Sequence, residues 1–314
     1  LRVTDDGHGI PAAELPLALS RHATSKIDGT DLLNIRSFGF RGEAVASIAS
    51  VSRFSMRSRH VDEDVGGRID ILGGRLARKE PVARHPGTFI RVRDLFYNTP
   101  ARRKFLRKDK TEFGHLEQVV KRLALVRHDV SFVLNHNGRE VFCARRAGDR
   151  SSHERRLSDL LGPAFLEQAL YFEHEAAGLR LHGWVALPTF SRSQADMQHF
   201  YVNRRMVRDR LVTHAVRQAF QDVLYHGRHP AYVLFLELAP ALVDVNVHPT
   251  KVEVRFDNSN QIHSEVLAVL RDGRGAIASG WPRIWIWCSA MPAKSLAFVM
   301  GSSFIRVARR TFAR

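Results

Sequence analysis

Residues 5–10 read DDGHGI, directly after the strand-like LRVT of residues 1–4 and directly before a helical stretch opening at Pro11. A carboxylate at the end of a strand is placed to accept a hydrogen bond from an exocyclic amine. Glycines beside it let the backbone approach a flat ring closely, and the combination suits a purine. The same six residues also make a tight turn with Asp as its turn-forming residue. Taken alone, the hexapeptide leaves both readings open.

Working outward, FGFRGEA at residues 38–44 places Gly39 and Gly42 on either side of Arg41, with an Ala-rich segment following. Glycines allow successive backbone N–H groups to face one anion, and a helix N-terminus adds its dipole. A plain loop with a capping glycine fits as well. No Walker A loop, G-x-x-x-x-G-K-[ST], occurs. In NVHPTKVEVRF, residues 246–256, Lys251 stands just after a proline turn between two strands. It can serve as a point charge for a terminal phosphate or as an ordinary solvated lysine. The 16 histidines include no cluster at zinc spacing. No G-x-S-x-G is present, so covalent catalysis has no support.

Composition narrows the class. The chain has 314 residues, 44% of them hydrophobic, enough for two ordinary domains with real cores. No apolar run is long enough for a membrane span and no signal peptide is seen. Two cysteines, Cys143 and Cys288, make no disulfide framework, so a reducing cytoplasm is the expected compartment. The net charge of +16 points to an anionic partner, nucleic acid first. Residues 273–314 hold seven Lys/Arg and no Asp or Glu, so the remaining residues still carry an excess of nine. Three of the four tryptophans fall in WPRIWIW at 281–287. No period runs through this tail, which reads as a basic segment foreign to the body, such as a changed reading frame. A basic tail binding nucleic acid or membrane is the alternative.

The rest reads as α+β. Helical spacing is expected from Pro11 to about residue 28, and over Phe113, Leu116, Val120 and Leu123. Strands are expected at RFSMRSR, GGRIDILGG and GTFIRVRDLF, each bounded by turn residues. Thr99-Pro100 reads as an N-cap followed by the first helical residue. Asn137-Gly138 between apolar runs is a hairpin signal, because both residues of that turn need positive φ. RLVTHAVRQAFQDVLY is amphipathic, with Val212, Val216, Ala219 and Val223 on one face. The expected domain boundary lies near 150–165, where the stretch RRAGDRSSHERR is polar.

Taken in order and spacing, DDGHGI, RHATSKI, FGFRGEAVASI, DLFYNTPARRKFL, YVNRRMVRDRL and VDVNVHPTKVEVRF resemble the N-terminal region of the MutL family of DNA mismatch repair ATPases. The resemblance covers residues 1–270. It implies a GHKL (Bergerat-type) ATPase α/β sandwich over 1–155, the non-Walker nucleotide fold shared with gyrase B. A ribosomal-S5-domain-2-like α/β domain is implied over 156–272, followed by the basic tail from 273 to 314.

Residue by residue, the resemblance assigns Asp5 to the adenine amine, with Gly7 and Gly9 as the motif glycines. It assigns RHATSK, residues 21–26, to a lid over the nucleotide, with Thr24, Ser25 and Lys26 among the nucleotide-binding residues. Gly39, Phe40, Arg41, Gly42 and Glu43 become the phosphate loop, and Thr88, after Gly87, a support of the adenine site. Lys251 is the catalytic lysine reaching the γ-phosphate, and Arg210 is a DNA contact, with Arg208 and Arg205 on the same basic stretch. Implied cofactors are ATP and Mg²⁺, with no metal ligand assigned in this chain. Implied partners are DNA, single- or double-stranded and bound without sequence preference, a MutS-type mismatch-recognition protein, a strand-incision endonuclease or helicase, and a second copy in a homodimer.

Two departures stand out. The family's helix bearing the general-base glutamate and the Mg²⁺-holding asparagine precedes the DDGHGI motif, and this sequence opens at Leu1. The expectation is therefore a truncated chain, with ATP hydrolysis, which is weak in the intact family, in doubt. Where the family has VNGR, this chain has Val202-Asn203-Arg204-Arg205. The rival readings are a basic DNA-binding scaffold without nucleotide function and a gyrase-like topoisomerase subunit; NTPARRKFL disfavours the second.

Overall fold

The structure, a computed structural model, describes residues 1–23, 42–176, 178–244, 254–278 and 304–308. The chain forms two compact units, Leu1–Gly114 and His115–Arg314.

In the first unit, β1 (Arg2–Thr4) is followed by α1 (Leu15–Ala18), α2 (Ala44–Ser50), β2 (Arg53–Arg59), β3 (Gly66–Leu72), β4 (Arg75–Val82), β5 (Gly87–Arg93) and α3 (Pro100–Arg103). The strands form one antiparallel sheet in the order β1-β5-β2-β3-β4. Period-two alternation drives it: Phe54, Met56, Ile69, Ile71 and Val92 are buried, with Leu15 of α1 and Ala49 of α2 in the same core. The absence of a side chain at Gly67 leaves room for Leu15, which is fully buried. Of the helix expected from Pro11 to 28, four residues form α1, and 24–41 lie outside the described residues. Thr99 is the N-cap of α3 as read, but it caps through its carbonyl, which accepts from Arg102 and Arg103.

From α4 (Asp109–Val126) the chain continues through β6 (Phe132–His136), β7 (Arg139–Ala144), α5 (Arg150–Leu161), α6 (Pro163–Glu167), β8 (Ala169–Ala176), β9 (Leu179–Ala186), β10 (Gln198–Val202), β11 (Arg205–Val207), α7 (Arg210–Ala219), β12 (Tyr232–Glu237), β13 (Val243–Asp244), β14 (Arg255–Phe256), α8 (Ser259–Ala278) and β15 (Phe304–Ala308). Six strands make the second unit's main sheet, in the order β11-β10-β12-β9-β8-β15. Only the β10–β12 pair is parallel, and its connection passes through α7. Alternation assigns the two faces. Phe200, Val202, Leu234 and Leu236 pack with Val212, Val216 and Val266 of α7 and α8. Tyr201, Val233, Trp184 and Ala186 pack with Leu125, Phe142, Leu157 and Phe165.

This second core explains why the compact unit begins at His115, well upstream of the polar 145–156 stretch. The end of α4, the β6–β7 hairpin and α5 all close over the sheet. Arg156 fastens them. Buried in α5, it donates to the carbonyls of Ala124 (2.9 Å), Ala144 (3.0 Å), Arg127 (3.0 Å), Val130 (2.8 Å) and Arg145. The hairpin turn is as read, with Asn137 and Gly138 at φ 50° and 78°. The buried stripe of α4 is not. Leu123 is exposed, and burial concentrates in Ala124, Leu125 and Val126, the turn that meets the sheet. At the C-terminal end α8 runs past 273, and β15 pairs antiparallel with β8 at the sheet edge.

Candidate nucleotide site and basic surface

β1 hands the chain to Asp5, whose N–H donates to the Thr88 carbonyl at 2.9 Å. The Asp5 carboxylate answers through Oδ1, which accepts from the N–H groups of Thr88 (3.1 Å) and Gly7 (3.0 Å). Its second oxygen has no hydrogen-bond partner among the described residues, and the side chain is exposed. One oxygen is thus fixed by two backbone donors, which orients the other as an acceptor.

Two glycines are needed for this packing. Gly87 takes φ 111°, and a Cβ there would collide with the Asp5 carbonyl. Gly9 takes φ 76°, with the Arg59 carbonyl where its Cβ would be. Behind both lies Ser58, fully buried in β2. Its Oγ accepts from Ile10 N (2.8 Å) and lies 3.1 Å from the Gly87 carbonyl and 3.0 Å from Thr88 Oγ1. Sequence reasoning missed Ser58, since nothing in RFSMRSR distinguishes it from the other serine of that strand.

Of the expected phosphate loop, Gly42 and Glu43 are described. Glu43 is the N-cap of α2 and lies 3.1 Å from His22 Nδ1, both side chains being exposed. Thr24, Ser25, Lys26, Gly39, Phe40, Arg41 and Lys251 lie outside the described residues.

In the second unit the basic stretch separates by burial. Arg208 and Arg210 are exposed, and Arg210 opens α7 behind Asp209, the N-cap, which accepts from Leu211 N at 2.8 Å. Arg205 is only 8% exposed, so its guanidinium is not part of the surface, a correction to its reading as a DNA contact. Arg204, next to it in the turn, is the exposed one. Asn203 pins that turn, donating to the Leu238 carbonyl (2.9 Å) and accepting from Leu238 N (3.0 Å). Arg122, on α4, loses some of its proton affinity to burial and to the like charge of Arg208.

Residues 157–273 match the family model described as "DNA mismatch repair protein, C-terminal domain". The chain is 60% identical over 279 residues to the DNA mismatch repair protein MutL of Azotobacter vinelandii, and 58% identical to that of Pseudomonas paraeruginosa. Each alignment takes in 88% of this chain and 44% of the relative. The chain belongs to the MutL family. It spans less than half the length of these curated MutL relatives. Among solved structures, the Aquifex aeolicus MutL ATPase domain complexed with ADP is 27% identical, with a TM-score of 0.56 over 76% of this chain and 80% of that one. The gyrase B subunit of Myxococcus xanthus, 14% identical with a TM-score of 0.51 over 86% of this chain and 80% of that one, shares the fold alone. The fold is therefore the α+β architecture of the GHKL ATPases of MutL and gyrase B, while the sequence sides with MutL and disfavours the gyrase-like reading. Among the described residues, no helix is long and apolar enough to cross a membrane.

Proposed function

We propose that this chain is the nucleotide- and DNA-binding part of a MutL-type mismatch repair switch, acting in the cytoplasm. The observation that carries the nucleotide half is the double anchoring of Asp5 Oδ1 by Gly7 and Thr88, which leaves the other carboxylate oxygen to accept from the adenine amine. The similarity to the Aquifex aeolicus MutL ATPase domain complexed with ADP supports the same ligand class. In this reading the ATPase domain covers 1–155 and the second domain 156–272. Thr24, Ser25 and Lys26 form the lid, and Gly39, Phe40, Arg41, Gly42 and Glu43 surround the phosphates. Lys251 brings a positive charge to the γ-phosphate. In the intact protein Mg²⁺ would neutralise charge on the phosphates, and no residue of this chain is assigned to hold it.

Nucleotide binding then acts as a switch that changes the affinity of the whole protein for DNA and for its partners. Those partners are a MutS-type mismatch-recognition protein, a strand-incision endonuclease or helicase, and a second copy in a homodimer. DNA is bound without sequence preference through exposed arginines, among them Arg208 and Arg210. Titration of a fluorescent ATP analogue into the chain and into Asp5→Asn tests the reading. A loss of about tenfold or more in the variant is expected. Equal affinity for the two would leave the plain DNA-binding scaffold as the better account.

A further inference from the structure

A groove of about 660 Å³ lies at the C-terminal end of α7, between that helix and the segment leading to β12. Its lining includes Thr213, Arg217, Gln221, Tyr225 and Arg228, and no Asp or Glu among the described residues. Of the acids that flank it in sequence, Asp196 is held by Arg192 through two bonds (3.1 and 2.7 Å), and Asp222 is not part of the lining. The groove therefore carries an excess of positive charge and suits an anion.

Tyr225 is the unusual residue. It is 88% exposed, and among the described residues no other ring or guanidinium covers either face. A tight turn sets its place. Arg228 N donates to the Tyr225 carbonyl at 3.1 Å, and Gly227, the third residue of that turn, takes φ 76°, where glycine is favoured. Such a turn brings its first and fourth Cα atoms within about 7 Å, so a bare aromatic ring and a guanidinium start from neighbouring points. Ser191 takes one edge of the Arg228 guanidinium: its Oγ accepts from Nε at 3.1 Å and its carbonyl from Nη2. Arg228 is thereby oriented but keeps its charge, and Nη1 has no hydrogen-bond partner among the described residues.

Arg217 joins this groove to the other end of the helix. It is exposed in the last turn of α7 and has no acidic partner among the described residues. The seven residues from Arg210 to Arg217 make close to two helical turns, so both lie on one side of α7, about 10 Å apart along its axis. The groove continues the exposed arginines at the start of α7.

We propose that this groove takes an unpaired stretch of a DNA strand, with Tyr225 stacking on one base and Arg217 and Arg228 pairing with the flanking phosphates. The inference rests on the DNA half of the proposed function and gives it a residue that tells unpaired from paired DNA. Every base offers a π-face, so stacking on Tyr225 needs no particular sequence. Inside a duplex both faces of a base are covered by its neighbours, and only the arginines then find a partner.

Fluorescence anisotropy of the full chain with a labelled oligothymidylate of about 20 nucleotides, and with a duplex of equal length, tests the proposal. Tyr225→Ala is expected to weaken the oligothymidylate complex about fivefold or more and to leave the duplex complex unchanged. Tyr225→Phe keeps the ring and should bind as the wild type does. Arg217→Gln should lower the slope of log K against log salt for the oligothymidylate by about 0.7, a slope that Tyr225→Ala leaves alone. Wild-type affinity of Tyr225→Ala for the oligothymidylate overturns the proposal and leaves the exposed ring to a protein partner. An equal loss on both forms of DNA also overturns it, as does a Tyr225→Phe variant as weak as Tyr225→Ala. If Arg210→Glu weakens both forms while Tyr225→Ala weakens neither, the DNA surface stands and the stacking assignment alone falls. If the wild-type chain binds neither form, both readings fall.

Discussion

Ser58 Oγ and Thr88 Oγ1 lie 3.0 Å apart in the buried layer beneath Asp5, on paired strands β2 and β5. Through this contact the strand pairing is coupled to the carboxylate, since Thr88 N is one of the two donors that orient Asp5. Ser58→Ala removes the acceptor for Ile10 N and strands Thr88 Oγ1. A cost of about 1–3 kcal/mol is expected. Urea unfolding measures it, and the affinity for the ATP analogue should fall with it. Thr88→Val should do likewise, and the double variant should cost less than the sum of the two, because both act on one contact.

Arg156 is the second unit's main polar fastening. Its guanidinium reaches carbonyls on α4, on the loop after it and at the end of β7, so one side chain fixes three segments. Arg156→Met keeps the apolar stem and orphans these acceptors. A loss of more than about 3 kcal/mol is expected in denaturant unfolding. Arg156→Lys should recover only part of it, since a single ammonium cannot span a planar fork of five donors.

These two cases also mark what the sequence made legible. In the first sheet β1, β2, β3 and β5 announced themselves in the sequence, while β4 did not, and Asn137-Gly138 announced its hairpin. The tight turn at Asp5 was readable from its aspartate and glycines, and Gly7 N donates to Asp5 Oδ1 there. Ser58 and Arg156 were not, because they act through partners on other elements, 29 to 48 residues away for Ser58 and 11 to 32 for Arg156. Arg205 illustrates the converse. Four arginines stand between 204 and 210, and only the alternation of β11 decides that Arg205 turns inward while Arg204 and Arg208 stay out. The wrongly placed stripe on α4 has the same origin: its partner surface is built by strands far along the chain.

His199 gives the chain a pH dependence with a definite sign. It is 2% exposed on β10, and burial, with the nearby positive charges of Arg122, Arg208 and Lys121, pushes it down to about 4; Asp196 opposes this weakly. The folded state therefore refuses a proton that the unfolded chain accepts below about 6.5. Stability from this residue is complete above that pH and is lost as the pH falls from about 6.5 toward 4, by up to roughly 3 kcal/mol. His128 and His153, also lowered by burial, act in the same direction. Thermal melts between pH 7.5 and pH 4, in steps of about half a unit, should show the decline, and His199→Gln should flatten it. A stability that rises on acidification would contradict the assignment.

Arg210 tests the DNA half of the proposed function. It is the first residue of α7 and exposed, next to the N-cap Asp209, whose Oδ1 accepts from Leu211 N and Val212 N. Charge reversal there removes one phosphate contact and adds one repulsion. Arg210→Glu should weaken binding to a generic duplex by several-fold at low salt and lower the slope of log K against log salt by about one or more. Arg208→Glu should act alike, and because Arg208 also lies near Arg122, its removal should let that side chain hold its proton more tightly. Arg205→Met serves as the contrast, since its buried guanidinium should change unfolding far more than DNA affinity. Filter binding over a range of salt concentrations separates these outcomes. If Arg210→Glu shares the wild-type slope while Arg205→Met loses it, the DNA surface lies on another face of the second unit.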